Sequence, residues 1–363
     1  MMKKKILILT AGFGEGHNSA ARGVRDGLAR VTSDQTVVEL RDLFAEAYGR
    51  INELVRRSYL ALVNSAPRAW GFVYGWLDRK TDYNTEFRRL TRLKAQFGPV
   101  LNGFQPDIVV CSFPAYANVL QDILGAKRVC KCVVVVTDSI TINASWYRSP
   151  ADYFLVANEQ SASVLRNGGV APDKIKVFGF PVSPTFADLT ADRPLPSSNS
   201  SRRVLYMINA AKRGAAELVR MLVKLDLDLT VTIGRNDELR SGIDAAANGH
   251  RIKIIGWTNE LPRMMHENHL LIGKAGGASV QETIAAKCPM IINHVVAGQE
   301  EGNARLIVET NSGVIVQSPR EVVAQVQRAF DDGAKQWREW ARNISKLSRP
   351  RAAIDIAEFL MSL

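Results

Sequence analysis

The pattern that most constrains this chain is an alternation, run through twice, of short apolar stretches and amphipathic segments. Apolar runs at Ile6–Leu9, Ile108–Cys111, Val133–Val136, Tyr153–Ala157 and Lys176–Phe178 are separated by polar or helix-period sequence. Runs that are apolar without alternation suit strands covered on both faces, so the pattern predicts parallel βαβ units. A Pro/Ser/Asn stretch, Pro194 to Ser201, has no means of building a core and reads as a linker. A second series follows at Val204–Ile208, Leu229–Ile233, Ile252–Ile255, Leu270–Ile272 and Met290–Ile292. The expectation is an α/β chain of two Rossmann-like domains, with parallel sheets facing a central cleft. The boundaries expected are 1–187 for the first domain, 188–202 for the linker and 203–333 for the second domain. The last stretch, 334–363, carries Trp337, Trp340 and Pro350 and reads as two packed helices returning across the domains.

Length agrees with this division, because 363 residues exceed one ordinary α/β core and fit two. No window approaches the roughly 18 apolar residues that span a bilayer. Lys3-Lys4-Lys5 before Ile6–Leu9 resembles a secretion signal, but the apolar stretch is too short and reads as a first strand. Cys111, Cys130, Cys132 and Cys288 show neither CxxC spacing nor disulfide density, and suit inert core thiols in a reducing cytoplasm. The net charge of +11 favours an anionic partner. No zinc-finger, RNA-recognition or helix-turn-helix signature accompanies it, so nucleic acid is not expected.

The segment between the opening strands and Ile108 is unusual for a simple crossover. Leu43, Phe44, Ala47, Tyr48, Ile51, Leu54 and Val55 follow helical spacing, with Arg50, Glu53, Arg56 and Arg57 on the other side. Trp70, Phe72, Tyr74 and Trp76 then lie in an uncharged run, followed by Arg79, Lys80, Arg88 and Arg89. Aromatics beside cations suit an anionic membrane surface or a lipid acceptor. The plainer alternative is an apolar stripe packed on its own domain under a solvated charged face.

Three loops carry chemistry. Gly12-Phe13-Gly14-Glu15-Gly16-His17 joins the first strand to a helix, where glycines admit a ligand and the helix N-terminus offers N–H groups. Its spacing fits neither the dinucleotide fingerprint nor the P-loop, although Glu39 keeps a dinucleotide reading open. His17 at the lip of such a turn is a candidate general base, or simply a helix cap. Gly276 and Gly277 open a helix after the strand at Leu270–Ile272 and suit a phosphate. Ser279-x-x-Glu282 in the same helix matches a capping box, or supplies a carboxylate for ribose hydroxyls. Gln299 and Glu300 offer neighbouring acceptors for the hydroxyls of a sugar.

These motifs occur in one order with Val136-Thr137-Asp138, Trp146, Gly179-Phe180-Pro181, Gly234-Arg235-Asn236, Gly256-Trp257 and Gly298-Gln299-Glu300-x-x-Asn303. Together they resemble the monogalactosyldiacylglycerol synthase and processive diacylglycerol glucosyltransferase family, within glycosyltransferase family 28. The resemblance runs from Ile6 to about Val316. It implies the GT-B fold and an inverting transfer of glucose or galactose from UDP-glucose or UDP-galactose to diacylglycerol. By that resemblance His17 matches the base, Gly256 and Trp257 the uracil contact, Glu282 the ribose contact, Gly276 and Gly277 the diphosphate contact, and Gln299 and Glu300 the hexose contacts. Gly14, Gly16, Arg235 and Ser279 join the expected donor-binding set with their motifs, and Asp138 is placed to orient His17.

Two positions depart from the pattern. Asn143 stands where relatives often carry His, and Asn209-Ala210-Ala211-Lys212-Arg213-Gly214 replaces a glycine-rich turn. The exact sugar and acceptor are therefore left open, with another lipid or polyprenyl acceptor as one alternative. A UDP-sugar epimerase on the same twin plan is a second alternative, and a non-enzymatic basic binding module a third. No metal or cofactor is expected, because helix N-termini and cations can stabilise the leaving UDP. Asp226-Leu227-Asp228 is the one Asp-x-Asp, and it precedes an apolar strand. Peripheral association with the cytoplasmic face of the cell membrane is the expected location.

Overall fold

A computed structural model describes residues 3–49, 89–189, 195–196, 202–208, 214–296 and 300–363. The chain forms two compact units. In the first, strands β1 (Lys4–Leu9), β2 (Thr36–Arg41), β3 (Ile108–Cys111), β4 (Lys131–Val135), β5 (Tyr153–Val156) and β6 (Ile175–Val177) make one parallel sheet. Their order is β2-β1-β3-β4-β5-β6. In the second, β7 (Arg203–Met207), β8 (Asp228–Gly234), β9 (Lys253–Gly256), β10 (Leu270–Lys274), β11 (Met290–His294) and β12 (Gly313–Ile315) are likewise parallel. Their order is β12-β11-β10-β7-β8-β9.

The continuous apolar runs occupy the centres of these sheets. Ile6 to Leu9 on β1 and Leu270 to Ile272 on β10 are fully buried, as strands covered by helices on both faces must be. Each sheet has one place where the strand order reverses, between β1 and β3 in the first and between β7 and β10 in the second. In open α/β sheets the crevice outside the carboxyl ends at such a point is where ligands bind. The sheet order therefore nominates the loop after β1 and the loop after β10, the two glycine-rich turns of the sequence.

The domain boundaries differ from those expected in three ways. The division falls between Pro184 and Thr185, before the Pro/Ser stretch. Residues 300–302 group with the first unit although the chain has already entered the second. The two closing helices group with different units. The long helix Pro319–Leu347, broken by non-helical residues Asp331–Ala334, stays in the second unit, where Trp337 and Trp340 are buried in the core. Trp337 Nε1 donates to the His269 carbonyl at 2.6 Å. The last helix, Ala352–Ser362, packs on helix Glu15–Thr32 of the first unit. Gly27 permits that approach, since a Cβ there would meet the Ala353 carbonyl oxygen at 2.2 Å.

The amphipathic reading after β2 is met over residues 43–49, which are helical, with Leu43 and Phe44 buried. Its continuation, with Trp70, Phe72, Tyr74, Trp76, Arg79 and Lys80, lies outside the described residues. All four cysteines are free and buried. Among the described residues no helix is long and apolar enough to cross a membrane.

Candidate active site

In the first unit the turn after β1 is held from beneath. Gly12 N–H donates to Asp42 Oδ2 at 2.9 Å, and Tyr116 Oη donates to the Thr10 carbonyl at 2.7 Å. Asp42, immediately after β2, thus pins the turn itself. Glu39 lies within β2, paired in register with Leu7 and near Arg41, away from the carboxyl end where a ribose would sit. The dinucleotide reading is corrected accordingly. Gly14 is the extended N-cap of helix Glu15–Thr32, with no side-chain cap, and Gly16 lies in the first turn of that helix.

His17 enters the crevice from this helix. Its Nδ1 lies 3.0 Å from Thr137 Oγ1, at the end of β4, and it also bonds the Ser112 backbone after β3. Phe113 packs edge-on to the imidazole at 5.2 Å between centroids, and Trp146 lies at 5.9 Å. This desolvation lowers the His17 pKa from 6.5 to about 4, against the raising effect of the Ser112 bond. The ring is therefore neutral at pH 7 and keeps a lone pair. It does not cap the helix, which corrects the simple structural reading.

Asp138 follows Thr137, and its Oδ2 accepts from Trp146 Nε1 at 2.8 Å. Burial raises its pKa from 3.8 to about 6, and the indole bond opposes that rise. The direct partner of His17 is Thr137, and Asp138 reaches the imidazole's surroundings through the shared indole. Asn143 accepts from Ser145 N–H at 2.9 Å and so caps the short helix Ala144–Tyr147 that carries Trp146. The departure at Asn143 thereby acquires a structural role. Phe13, Phe44 and Phe113 meet at centroid distances of 5.4–5.7 Å, and Phe113 joins that cluster to the imidazole.

In the second unit, Gly276 is the N-cap of helix Gly277–Ala285 and no side chain caps it. Ser279 is the third residue of that helix and cannot be its cap, so the capping-box reading of Ser279 and Glu282 is corrected. The first-turn N–H groups are thereby left for an anion. Glu282 stands on the second turn, half-buried. Two strands away, Gly234 of β8 and Gly256 of β9 are paired in register, which places the residues after them side by side. The Arg235 guanidinium lies 5.1 Å from the Trp257 ring centroid, and Trp257 is 59% exposed. An exposed indole braced by a cation at the carboxyl edge of a sheet offers a flat face to a base. Asp226 and Asp228 are exposed at the opposite, amino end of β8.

Glu300 is 6% exposed and belongs to the first unit, while Gln299 lies outside the described residues. Asn303 Nδ2 donates to the Ala275 carbonyl at 3.2 Å, beside the phosphate-type turn. Sequence reasoning did not assign roles to Thr137, Ser112, Phe113 or Asp42. Their one common signal is position, since each stands at or just beyond the carboxyl end of a strand.

Two family models match in succession: monogalactosyldiacylglycerol (MGDG) synthase over residues 17–182, and the glycosyltransferase family 28 C-terminal domain over residues 201–354. The chain is 25% identical to monogalactosyldiacylglycerol synthase 1, chloroplastic, of Arabidopsis thaliana, over 99% of this chain and 71% of that one. It is 25% identical to the processive diacylglycerol beta-glucosyltransferase of Bacillus subtilis, over 91% of this chain and 87% of that one. The chain belongs to the monogalactosyldiacylglycerol synthase and diacylglycerol glucosyltransferase family. It is a glycosyltransferase of family 28. Among solved structures it is similar to MurG of Acinetobacter baumannii, with a TM-score of 0.63 and 14% identity over 99% of this chain and 100% of that one. It is also similar to the UDP-GlcNAc 2-epimerase of Neisseria meningitidis bound to UDP-GlcNAc, with a TM-score of 0.61 and 15% identity over the whole of both chains. A transferase and an epimerase sharing the GT-B-like plan show that these likenesses carry the fold alone. The sequence matches, all to lipid hexosyltransferases among the relatives compared, favour transfer over epimerisation.

Proposed function

We propose that this enzyme transfers glucose or galactose from UDP-glucose or UDP-galactose to the free hydroxyl of diacylglycerol, with inversion at the anomeric carbon. The carrying observation is His17, a neutral imidazole fixed at the strand-order reversal of the first sheet by Thr137 and Ser112. As the acceptor oxygen attacks the anomeric carbon, its proton passes to the imidazole and the bond from that carbon to the UDP oxygen breaks. One displacement inverts the centre. Phe113, packed on the imidazole and backed by Phe13 and Phe44, gives a lipid acceptor an apolar neighbour next to the base. In the second unit, the uncapped start of helix Gly277–Ala285 receives the diphosphate and stabilises the charge developing on UDP, with no metal required. Trp257 and Arg235 are assigned to the uracil, Glu282 to the ribose, and Gln299 and Glu300 to the hexose.

The enzyme acts from the cytoplasm at an anionic membrane surface, as the +11 charge and the aromatic, basic sequence around Trp70–Lys80 favour. The test is incubation with radiolabelled UDP-glucose or UDP-galactose and vesicles containing diacylglycerol. Labelled glycolipid is expected with at least one donor, faster on anionic than on neutral vesicles, and slowed on anionic vesicles by 0.5 M salt, because charge attraction is screened (Debye length about 8 Å at 0.15 M). UDP-sugar turnover without a lipid product would overturn the reading, and equal rates on both vesicles would remove its electrostatic part.

Glu282→Gln is expected to weaken UDP binding about tenfold, as loss of a charge-assisted hydrogen bond does. Calorimetric titration with UDP checks this. Unaltered affinity would remove Glu282 from the donor site.

A further inference from the structure

The loop from Thr137 to Asn143 is fixed at both ends. Thr137 bonds His17, Asp138 bonds Trp146, Ile142 is buried in the core and Asn143 caps the following helix. Its middle is strained. Ile140 has φ +60°, and Thr141 N–H donates to the Ser139 carbonyl at 2.6 Å across it. A hydrogen bond closing over one residue of positive φ defines the rare γ-turn, and a β-branched residue is the worst occupant for it. Glycine or asparagine would adopt this backbone at lower cost.

Strain of this kind persists only where neighbours over-determine it. Here the neighbour is Gly302, on the first turn of helix Glu301–Glu309. A Cβ at Gly302 would lie 2.1 Å from the Ser139 carbonyl oxygen and 2.2 Å from Thr141 Oγ1. The backbone of residue 302 therefore lies directly against the turn, and both are in the first unit.

We propose that the Ile140 turn, buttressed by Gly302, is a positioning device that holds Thr137 and Asp138 in register with His17. The inference rests on the assignment of His17 as base. The turn reverses the chain within a short loop, so the residues before it emerge from β4 in one direction only. Ile140 is itself disfavoured at this positive φ, so the fixed ends and the Gly302 backbone hold the conformation, while any Cβ still leaves the backbone fewer alternatives than glycine would. Small displacements near a reacting centre are costly, about a hundredfold for 1 Å. Neither Ile140 nor Gly302 is assigned a contact with substrate, so both act through Thr137 and Asp138.

The test compares Ile140→Ala with Ile140→Gly. Both lose the side chain beyond Cβ, but only glycine relieves the positive φ. Ile140→Gly is expected to melt about 2–4 °C above Ile140→Ala and to turn over about tenfold more slowly, with UDP affinity unchanged in both. Opposite signs in stability and turnover separate positioning from a folding role, which would move both the same way. Gly302→Ala is expected to lower kcat by about ten- to a hundredfold at unaltered UDP affinity. If Gly302→Ala does not fold, the Ile140 pair still decides the matter. Equal kcat for the two Ile140 variants, or parallel changes in melting and kcat, overturns the inference. His17→Ala serves as the separate control: an active His17→Ala removes the base assignment itself, whereas an inactive one with equal Ile140 variants removes the positioning device alone.

Discussion

His17→Ala is expected to fold normally, to bind UDP within about twofold of the wild type, and to lose at least about a hundredfold in turnover, the low end of what positioned general bases contribute. Folding is spared because the ring's hydrogen bonds are few and its desolvation is unfavourable to it. Thr137 Oγ1 and the Ser112 backbone are its polar partners, and Phe113 and Trp146 retain the rest of the crevice wall. UDP binding is spared because the proposed nucleotide contacts, from Arg235 to Glu282, belong to the second unit. Turnover is lost because a fully protonated hydroxyl is a poor nucleophile and the imidazole is the group proposed to take its proton, while Asp138 is engaged by Trp146 Nε1. Calorimetry with UDP and initial rates on diacylglycerol vesicles check the two halves separately. Most of the wild-type rate surviving in His17→Ala would exclude the imidazole from the mechanism.

The two sheets were legible because parallel strands buried on both faces must be continuously apolar, and Ile6–Leu9 or Leu270–Ile272 cannot be much else. The glycine turns were legible for a related reason, since they interrupt those runs where the chain leaves a strand. What escaped was anything fixed by strand order, which the sequence does not carry. Nothing local in Ser112 or Thr137 announces that β1, β3 and β4 lie side by side and bring both residues to His17. The same limit explains the boundary errors. A Pro/Ser stretch reads as a linker from composition, whereas Thr185–Asp188 is already helical before it. The grouping of residues 300–302 with the first unit goes with a packing contact at Gly302. The capping box failed because Ser-x-x-Glu fixes a spacing but not a register, and Gly276 starts the helix three residues before Ser279.

Asp138→Asn is expected to lower turnover by about thirtyfold while making the protein more stable at pH 7. Asparagine retains an oxygen for Trp146 Nε1, so the indole stays in place and only the charge is removed. A carboxylate across one ring from a developing imidazolium favours it by about 2 kcal/mol at an effective dielectric near 20, which is about thirtyfold in rate. Because burial raises the Asp138 pKa from 3.8 to about 6, the carboxylate is ionised at pH 7 and protonated below pH 6. In the wild type kcat/KM should therefore fall as pH drops through about 6, whereas His17 itself would not protonate until about 4. Asp138→Asn should lack that limb. The stability argument has two opposite slopes. A carboxyl with a raised native pKa holds its proton longer than in the unfolded chain, so its contribution is present at low pH and is lost between 3.8 and about 6. The lowered pKa of His17 acts the other way, giving stability that is full above 6.5 and lost as pH falls towards about 4. The two nearly offset in the wild type. Asp138→Asn keeps only the second, so its stability should climb with pH from 4 to 6.5 and exceed the wild type at pH 7 by an amount on the order of 1–3 kcal/mol. His17→Ala keeps only the first and should show the reverse slope. Urea melts at pH 4.5, 5.5 and 7 for the three proteins measure this directly. Parallel pH profiles in all of them would mean that Asp138 and His17 do not sit in the desolvated crevice on which the mechanism depends.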